Sequence, residues 1–415
     1  MPANQLTKLS SFDEVDEKFW NEKPILETLK TATNFFLKYI DNTVQIWAAS
    51  RDWFMEEWGR DTFISLPGLL LVNKKFEEAR KIFERFASYE KDGLIPNRIT
   101  NNEIIYNSAD ASLWFIRAQE EYVKYTNDWG FIKKIMPINK KILESYINGT
   151  GYFRYGKFQR IYMDKDYLIV SPPQATWMDA DAFGKIPPVT PRNGKAVEIN
   201  SLFYRAIKFI EIAEEKTNIK TNLPIKEIRE NLKKSFEKKF WNEKINALYD
   251  VIEGDPNGAS IRPNMIIAVS DGEDLIPIDK QISVFNVVKE HLLTPGGLRT
   301  LSPTDPNYKG TYNTYLPIEE KDLSYHQGTA WPWLFGRYID TLVKIMKYKN
   351  ENEESIKKEI KRVLGPIVKF CLESEYKSLP ELFSGDWPYE PGGTTSQAFS
   401  VAEVLRVIIE YKILS

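Results

Sequence analysis

The chain has 415 residues, 42% hydrophobic and 27% charged, and its 56 basic and 58 acidic side chains give a formal net charge of -2. That composition excludes a disordered chain, and near-balanced charge without a basic tract argues against a nucleic-acid partner. One cysteine, Cys371, excludes an intrachain disulfide framework, and His291 and His326 are too few for a histidine-rich metal site. No EF-hand loop pattern occurs either, so neither a metal nor another cofactor is expected.

The polar N-terminus, MPANQLTKLSSFDEVDEKF, lacks an apolar signal region, and no apolar run reaches the length of a membrane span. The expectation is a cytoplasmic protein that does not meet a membrane. Residues 1–24 read as a loose arm and residues 25–415 as a single domain. The first helix is read over Ile25–Ile40. The second runs from near Asp61 through Leu71, with Pro67 near its first turn or at a kink. The third is Lys75–Tyr89, in which Phe76, Ala79, Ile82, Phe83 and Phe86 recur at helical spacing between charges. Then come Ala109–Tyr125, with Ser108 as its cap, and Trp129–Asn148. A long loop leads to Glu198–Lys216, Ile225–Phe240, Arg262–Val269 and Asp279–Leu292. After a Pro/Gly/Tyr-rich loop the chain ends in His326–Met346, Glu353–Glu373 and Thr395–Ile413.

Two regularities follow. Loops that enter the even-numbered helices are far longer than ordinary connections, whereas loops that leave them are short. The odd helices carry one apolar stripe among charges. The even helices are apolar nearly all round, as buried helices are. The expected fold is therefore all-α, an (α/α)6 toroid of six helical hairpins with the even helices inside. All long loops would crowd over one mouth, where sites are usually built.

Those loops carry a narrow set of side chains. The longest, Ser171–Asn200, holds Trp177, Asp179, Asp181, Arg192 and Glu198. A carboxyl beside a large aromatic keeps its proton more readily and can act as an acid near neutral pH. The other long loops supply Arg51, Asp52, Trp53, Glu56, Glu57, Trp58, Arg60 and Asp61, then Asn97 and Arg98. Later ones bring Arg299, Tyr312, Tyr315, Tyr325, His326 and Gln327 beside Trp331 and Trp333, and then Glu381, Asp386, Trp387 and Tyr389. Phosphate-cradling glycine loops and a nucleophile elbow are absent. Two carboxylates between aromatic walls are the minimal apparatus for glycoside hydrolysis. Any one loop carboxylate is more readily a surface ion pair, so the clustering on one rim carries the reading.

Six runs then bring a resemblance. Trp58-Gly59-Arg60-Asp61-Thr62, Gly93-Leu94-Ile95-Pro96-Asn97-Arg98 and Thr176-Trp177-Met178-Asp179-Ala180 are three of them. The others are Pro191 through Asn200 (PRNGKAVEIN), Tyr325 through Trp333 (YHQGTAWPW) and Leu379-Pro380-Glu381-Leu382. Together, and in this order, they resemble the amylo-α-1,6-glucosidase region of glycogen debranching enzymes. The resemblance implies an (α/α)6 barrel and an inverting glucosidase that releases glucose from α-1,6 branch stubs of glycogen or branched maltodextrin. It implies Asp179 as general acid, Glu381 as general base, and Arg60 and Asp61 in the glucose subsite. Beside Trp177, Asp179 would keep its proton, and Glu381 would stay ionised and hold a water.

Trp58, Asn97, Trp177, Glu198, His326, Gln327 and Trp331 complete the candidate substrate-binding set. Asp61 and Glu198 are equally helix-start residues. His326 either bonds a sugar hydroxyl or packs, and Trp331 is either a stacking platform or core. Other readings remain open: a glucoamylase-like or trehalase-like α-glucosidase, or a glucan-binding subunit without catalysis. Family members usually carry a further N-terminal domain, and only about 50 residues precede the first motif. The expectation is thus the glucosidase barrel alone, acting on an α-glucan or branched maltooligosaccharide, with a separate glucan-binding chain as a conceivable partner.

Overall fold

The computed structural model describes residues 9–12, 14–40, 43–50, 56–100 and 102–414. In chain order its helices are α1 (Glu17–Glu22), α2 (Ile25–Thr33), α3 (Gly59–Leu66), α4 (Phe76–Ser88), α5 (Ala111–Thr126), α6 (Trp129–Asn148) and α7 (Val197–Thr217). They continue with α8 (Ile225–Phe240), α9 (Asn264–Gly272), α10 (Ile278–His291), α11 (Ile318–Tyr325), α12 (Leu334–Tyr348), α13 (Glu353–Glu373) and α14 (Ala398–Glu410).

The apolar pattern sorts the longer helices into two kinds. α4 buries Ala79, Ile82, Phe83 and Phe86, and α8 buries Ile225, Ile228, Leu232, Phe236 and Phe240, each a single stripe at helical spacing. α3 is buried at every position, and α14 is buried from Ala398 through Ile408. α5, α7, α9 and α12 are likewise largely buried. Each buried helix packs on the next: α3 on α5, α5 on α7, α7 on α9, α9 on α12, α12 on α14, and α14 again on α3. The single-stripe helices lie against them, α6 and α8 on α7, α10 on α9 and α12, α13 on α12, and α2 on α14. Removing one such Leu or Phe side chain from water contributes roughly 1.5–3 kcal/mol. A Cβ on Gly68 would stand 1.9 Å from the Ala402 carbonyl oxygen, so the approach of α14 to the segment after α3 requires glycine. That segment, Pro67–Leu71, is a π-helical turn in which Val72 N–H donates to the Pro67 carbonyl at 3.1 Å. Proline has no N–H with which to continue the α pattern, which places the distortion at Pro67.

Several expectations give way. Part of the N-terminal arm is ordered as α1, capped by Asp16, with Trp20 buried. The first long helix stops at Thr33. Leu37–Ile40 instead pairs antiparallel with Thr43–Ile46, a run rich in β-branched residues. α5 starts at Ala111, two residues later than expected, with Asp110 at the N-cap position and Ser108 Oγ accepting from Ala111 N–H at 3.4 Å, and the last helix starts at Ala398 instead of Thr395. The expected Pro/Gly/Tyr-rich loop contains α11, which follows Pro317 and opens with Glu319 and Glu320.

His326–Trp333 is not helical. Ala330–Trp331 is a strand, and α12 begins only after Pro332, which cannot donate. Residues Leu293–Thr294, Gly297–Arg299, Ala330–Trp331, Leu382–Phe383 and Pro391–Gly392 form one five-stranded sheet. Pairing of Ala330 with Phe383 brings the Trp331 segment beside Glu381. Ahead of the longest loop, Thr150–Arg154 and Lys157–Met163 make a tight hairpin, extended by Ile169–Val170. Among the described residues no helix is long and apolar enough to cross a membrane.

Candidate active site

Two adjacent residues in the first turn of α3 line one cavity and take different partners. The buried Arg60 donates from Nε to Asp110 Oδ2 at 2.6 Å and from Nη1 to Asp179 Oδ2 at 3.2 Å. The buried Asp61 accepts from Gln397 Nε2 at 3.1 Å. Gln397 Oε1 accepts from the Thr394 hydroxyl at 2.6 Å, and Thr394 N–H donates to Glu381 Oε2 at 3.2 Å. The Tyr325 hydroxyl donates to Glu381 Oε1 at 2.5 Å. Both oxygens of Glu381 are thereby held. The start of α3 links the Asp179 loop to the Glu381 loop through two separate polar chains.

The cavity has a volume of about 380 Å³, within the range of small-molecule sites, and both Asp179 and Glu381 line it. Asp179 remains 26% exposed. One wall is aromatic. Trp177 stands edge-on to Trp331 at 5.2 Å and to Trp333 at 5.3 Å between ring centres. Its indole N–H donates to Asn264 Oδ1 at 2.7 Å, which satisfies its buried polar atom.

Burial raises Asp61, Asp179, Asp322 and Glu381 of this cavity. It lifts Asp179 above the usual aspartate range, although Arg60 and Arg154 pull it back. It pushes Asp61 up to about 7, with Arg60 opposing and Glu381 and Asp179 adding to the rise. Glu381 also reaches about 7, against the downward pull of the Tyr325 and Thr394 hydrogen bonds. Asp322, which accepts from Ala182 N–H at 2.8 Å, reaches about 6. Glu381 is thus not the firmly ionised carboxylate expected from sequence. It titrates near neutral pH because desolvation outweighs its two donors.

Of the expected binding residues, Trp58, Arg60, Asp61, Trp177 and Trp331 line the cavity. Arg51, Asp52 and Trp53 lie outside the described residues. Asn97, Glu198, His326 and Gln327 do not line it, and each has a local reason. Asn97 is fully buried and donates to Asn107 Oδ1 at 2.9 Å. Glu198 is buried in a two-point ion pair with Arg192, which also binds Asp250 at 2.7 Å and the Thr176 hydroxyl at 2.8 Å. That arrangement braces the loop bearing Trp177. His326 is fully buried with its ring stacked on Trp331 at 5.2 Å, and burial holds it neutral. Gln327 accepts from Arg262 at 2.6 Å.

The cavity also takes in residues that sequence reasoning missed, among them Arg154, Tyr155, Phe183, Lys321, Asp322 and Gln397. For Arg154 and Tyr155 a signal existed: Tyr155-Gly156 between two alternating runs is a hairpin turn. Asp322 and Lys321 had none, because their segment reads as loop. Away from the cavity, the acidic trio Asp164, Asp166 and Glu253 surrounds Lys195 Nζ, 2.9 Å from Asp164 and 2.8 Å from Asp166. The ammonium occupies the position a cation would take.

Residues 30–406 match the family model described as amylo-alpha-1,6-glucosidase. The chain is 26% identical over 449 aligned positions to the glycogen debranching enzyme of Saccharomyces cerevisiae, a match covering 86% of this chain and 29% of that protein. This chain therefore spans less than a third of its relative. Among solved structures, a rhamnosidase from Klebsiella oxytoca with rhamnose bound superposes with a TM-score of 0.60 at 13% identity, over 94% of this chain and 65% of that one. A mannosylglycerate hydrolase from Thermus thermophilus in complex with glucose gives 0.61 at 11% identity, over 92% and 99%. At such identities the likeness speaks for a shared fold. With the family match running over nearly the whole chain, the protein belongs to the amylo-alpha-1,6-glucosidase family of glycoside hydrolases.

Proposed function

We propose that this protein is an inverting amylo-α-1,6-glucosidase that releases glucose from α-1,6 branch stubs of glycogen or branched maltodextrin. The observation that carries the reading is that Asp179 and Glu381 line one cavity, both with raised pKa and both tied to the start of α3. Asp179 gives its proton to the glycosidic oxygen as the bond to the main chain breaks. Glu381 takes a proton from the water that attacks the anomeric carbon on the opposite face, and the configuration inverts. Arg60 orients Asp179, and Tyr325 with Thr394 N–H orients Glu381. Trp177 and Trp331 supply the apolar wall, and Asp61 accepts from glucose hydroxyls. The mutual packing of α3, α5, α7, α9, α12 and α14 supports an inner ring, and with it an (α/α)6 toroid of six hairpins formed by residues 25–415. A cytoplasmic location suits a glycogen-directed enzyme.

The test is glucose release from a branched maltodextrin carrying single α-1,6 glucosyl stubs. Wild type releases glucose, first as the β-anomer by NMR, and Asp179→Asn and Glu381→Gln each lose at least about a thousandfold in rate. Release that survives both substitutions refutes the assignment. Release of the α-anomer first refutes inversion. Preference for linear maltodextrin would transfer the site to the glucoamylase type.

A further inference from the structure

Beside the first cavity lies a second, of about 450 Å³, and the two share Arg154, Tyr155 and Asp181. The second is a groove lined by Lys157 and Gln159 of the hairpin and by Pro187 and Pro188. The boundary between them is a built ridge. Tyr155 and Gly156 form the two-residue turn of the hairpin, both at positive φ, 48° and 75°. The Tyr155 ring lies against the backbone of Gly184, where an added Cβ would stand 2.7 Å from its Cζ. The guanidinium of Arg154 covers the same ring at 5.3 Å and bonds Asp181 at 2.9 Å.

The facing turn is unusual. Ala182, Phe183 and Gly184 run through φ values of 49°, 56° and 83°, a left-handed sequence that is strained at the two non-glycine residues. Asp322 holds it through Ala182 N–H at 2.8 Å, and Asp181 holds it through Gly184 N–H at 2.9 Å. Within this turn Phe183 stands 69% exposed in the lining of the first cavity, which also includes Tyr155, itself 60% exposed. An exposed Phe183 ring beside the partly covered Tyr155 ring, on the rim of two cavities that share lining residues, suits a sugar polymer, whose ring faces stack on aromatics while its hydroxyls bond Arg, Lys, Gln and Asp.

We propose that the Tyr155–Phe183 ridge and the groove behind it form a binding site for the main chain of an α-glucan whose branch glucose occupies the first cavity. This rests on the proposed function and adds to it a subsite for the polymer from which the stub projects. It makes Tyr155 and Phe183 specificity residues that sort branched polymer from small glucosides.

Two measurements test it with Tyr155→Ala and Phe183→Ala, which leave the core untouched. Calorimetry reads binding of a branched maltodextrin, and kinetics read the ratio of kcat/KM on that dextrin to kcat/KM on α-glucosyl fluoride, which has no main chain. Each variant is expected to weaken dextrin binding about tenfold and to lower the ratio by a similar factor. Unchanged binding, or an equal loss on both substrates, overturns the proposal, as does a wild type that binds no α-glucan. Wild-type binding without hydrolysis, lost in both variants, would uphold the groove and defeat the hydrolase reading.

Discussion

The Tyr325–Glu381 hydrogen bond offers the sharpest test of how this site sets its chemistry. Tyr325→Phe removes one hydroxyl and leaves the ring, which packs against Tyr312 at 5.8 Å and Trp331 at 5.1 Å. The lost bond, 2.5 Å from Oε1, favours the ionised form of Glu381. A hydrogen bond to a charged group contributes about 1.5–3 kcal/mol, equivalent to one to two pH units. Glu381 faces the cavity, so water replaces part of the donor, and the shift should fall at about one unit. The sign follows directly. Glu381, already near 7, moves up, and the base must be ionised to work. The acid limb of the pH profile of kcat/KM on branched maltodextrin should therefore move about one unit alkaline, with a roughly tenfold loss at pH 6 that shrinks as pH rises. A uniform loss at every pH would refute the reasoning, because Tyr325 would then act on substrate and not through Glu381. An acid-ward move would refute its sign.

The remaining expectations concern stability and packing. Asp61 has a folded-state pKa raised to about 7, so its charge costs nothing below about pH 4, costs progressively more from there to 7, and costs most above 7. Asp61→Asn, which keeps the acceptor for Gln397, should stabilise the fold by about 1–3 kcal/mol at pH 8 and by nearly nothing at pH 4, while losing activity. Thermal melts at the two pH values check this. Arg192→Leu leaves Glu198 and Asp250 buried without their cation and should cost about 3–5 kcal/mol in denaturant unfolding. Gly68→Ala forces a methyl against the Ala402 carbonyl and should cost about 1–3 kcal/mol, and a melting temperature equal to wild type would show that α14 can retreat.

What the sequence revealed of the fold was its locally encoded part. Trp129–Asn148, Ile225–Phe240 and Glu353–Glu373 have the bounds read from their periodicity, and Asp128 and Asn352 cap two of them through side-chain acceptors. His326–Trp333 reads as helix in the sequence because its apolar run carries no period that separates a strand from a buried helix. Strand pairing with Leu298 and Phe383, far away in the chain, decides it. The site divides along the same line. Arg60, Asp61, Asp179 and Glu381 sit in distinctive motifs, whereas Arg154 and Asp322 acquire their place only where the hairpin, the Ala182–Gly184 turn and α11 meet.

The four motif residues that do not line the cavity explain what such motifs encode. Arg192 consumes both oxygens of Glu198 and reaches Thr176, next to Trp177. Asp250, held by Arg192, accepts from Asn264 at 2.7 Å, and Asn264 in turn fixes the Trp177 indole. Gln327 is occupied by Arg262, which also bonds the His326 carbonyl at 2.8 Å. Glu198 and the Gln327 side-chain oxygen are thus already used inside the protein, whereas Asn97 and His326 are kept from the cavity by burial, His326 with both ring nitrogens and Asn97 with its Oδ1 unpaired among the described residues. Glu198, through Arg192, Asp250 and Asn264, therefore holds Trp177 from behind, and the His326 ring backs Trp331. Sequence marks the residues that touch a ligand and those that hold the touching residues in the same runs. Only burial and partner geometry separate them: Asp179 and Glu381 face the cavity, whereas Glu198 shares their chemistry but spends its charge on Arg192.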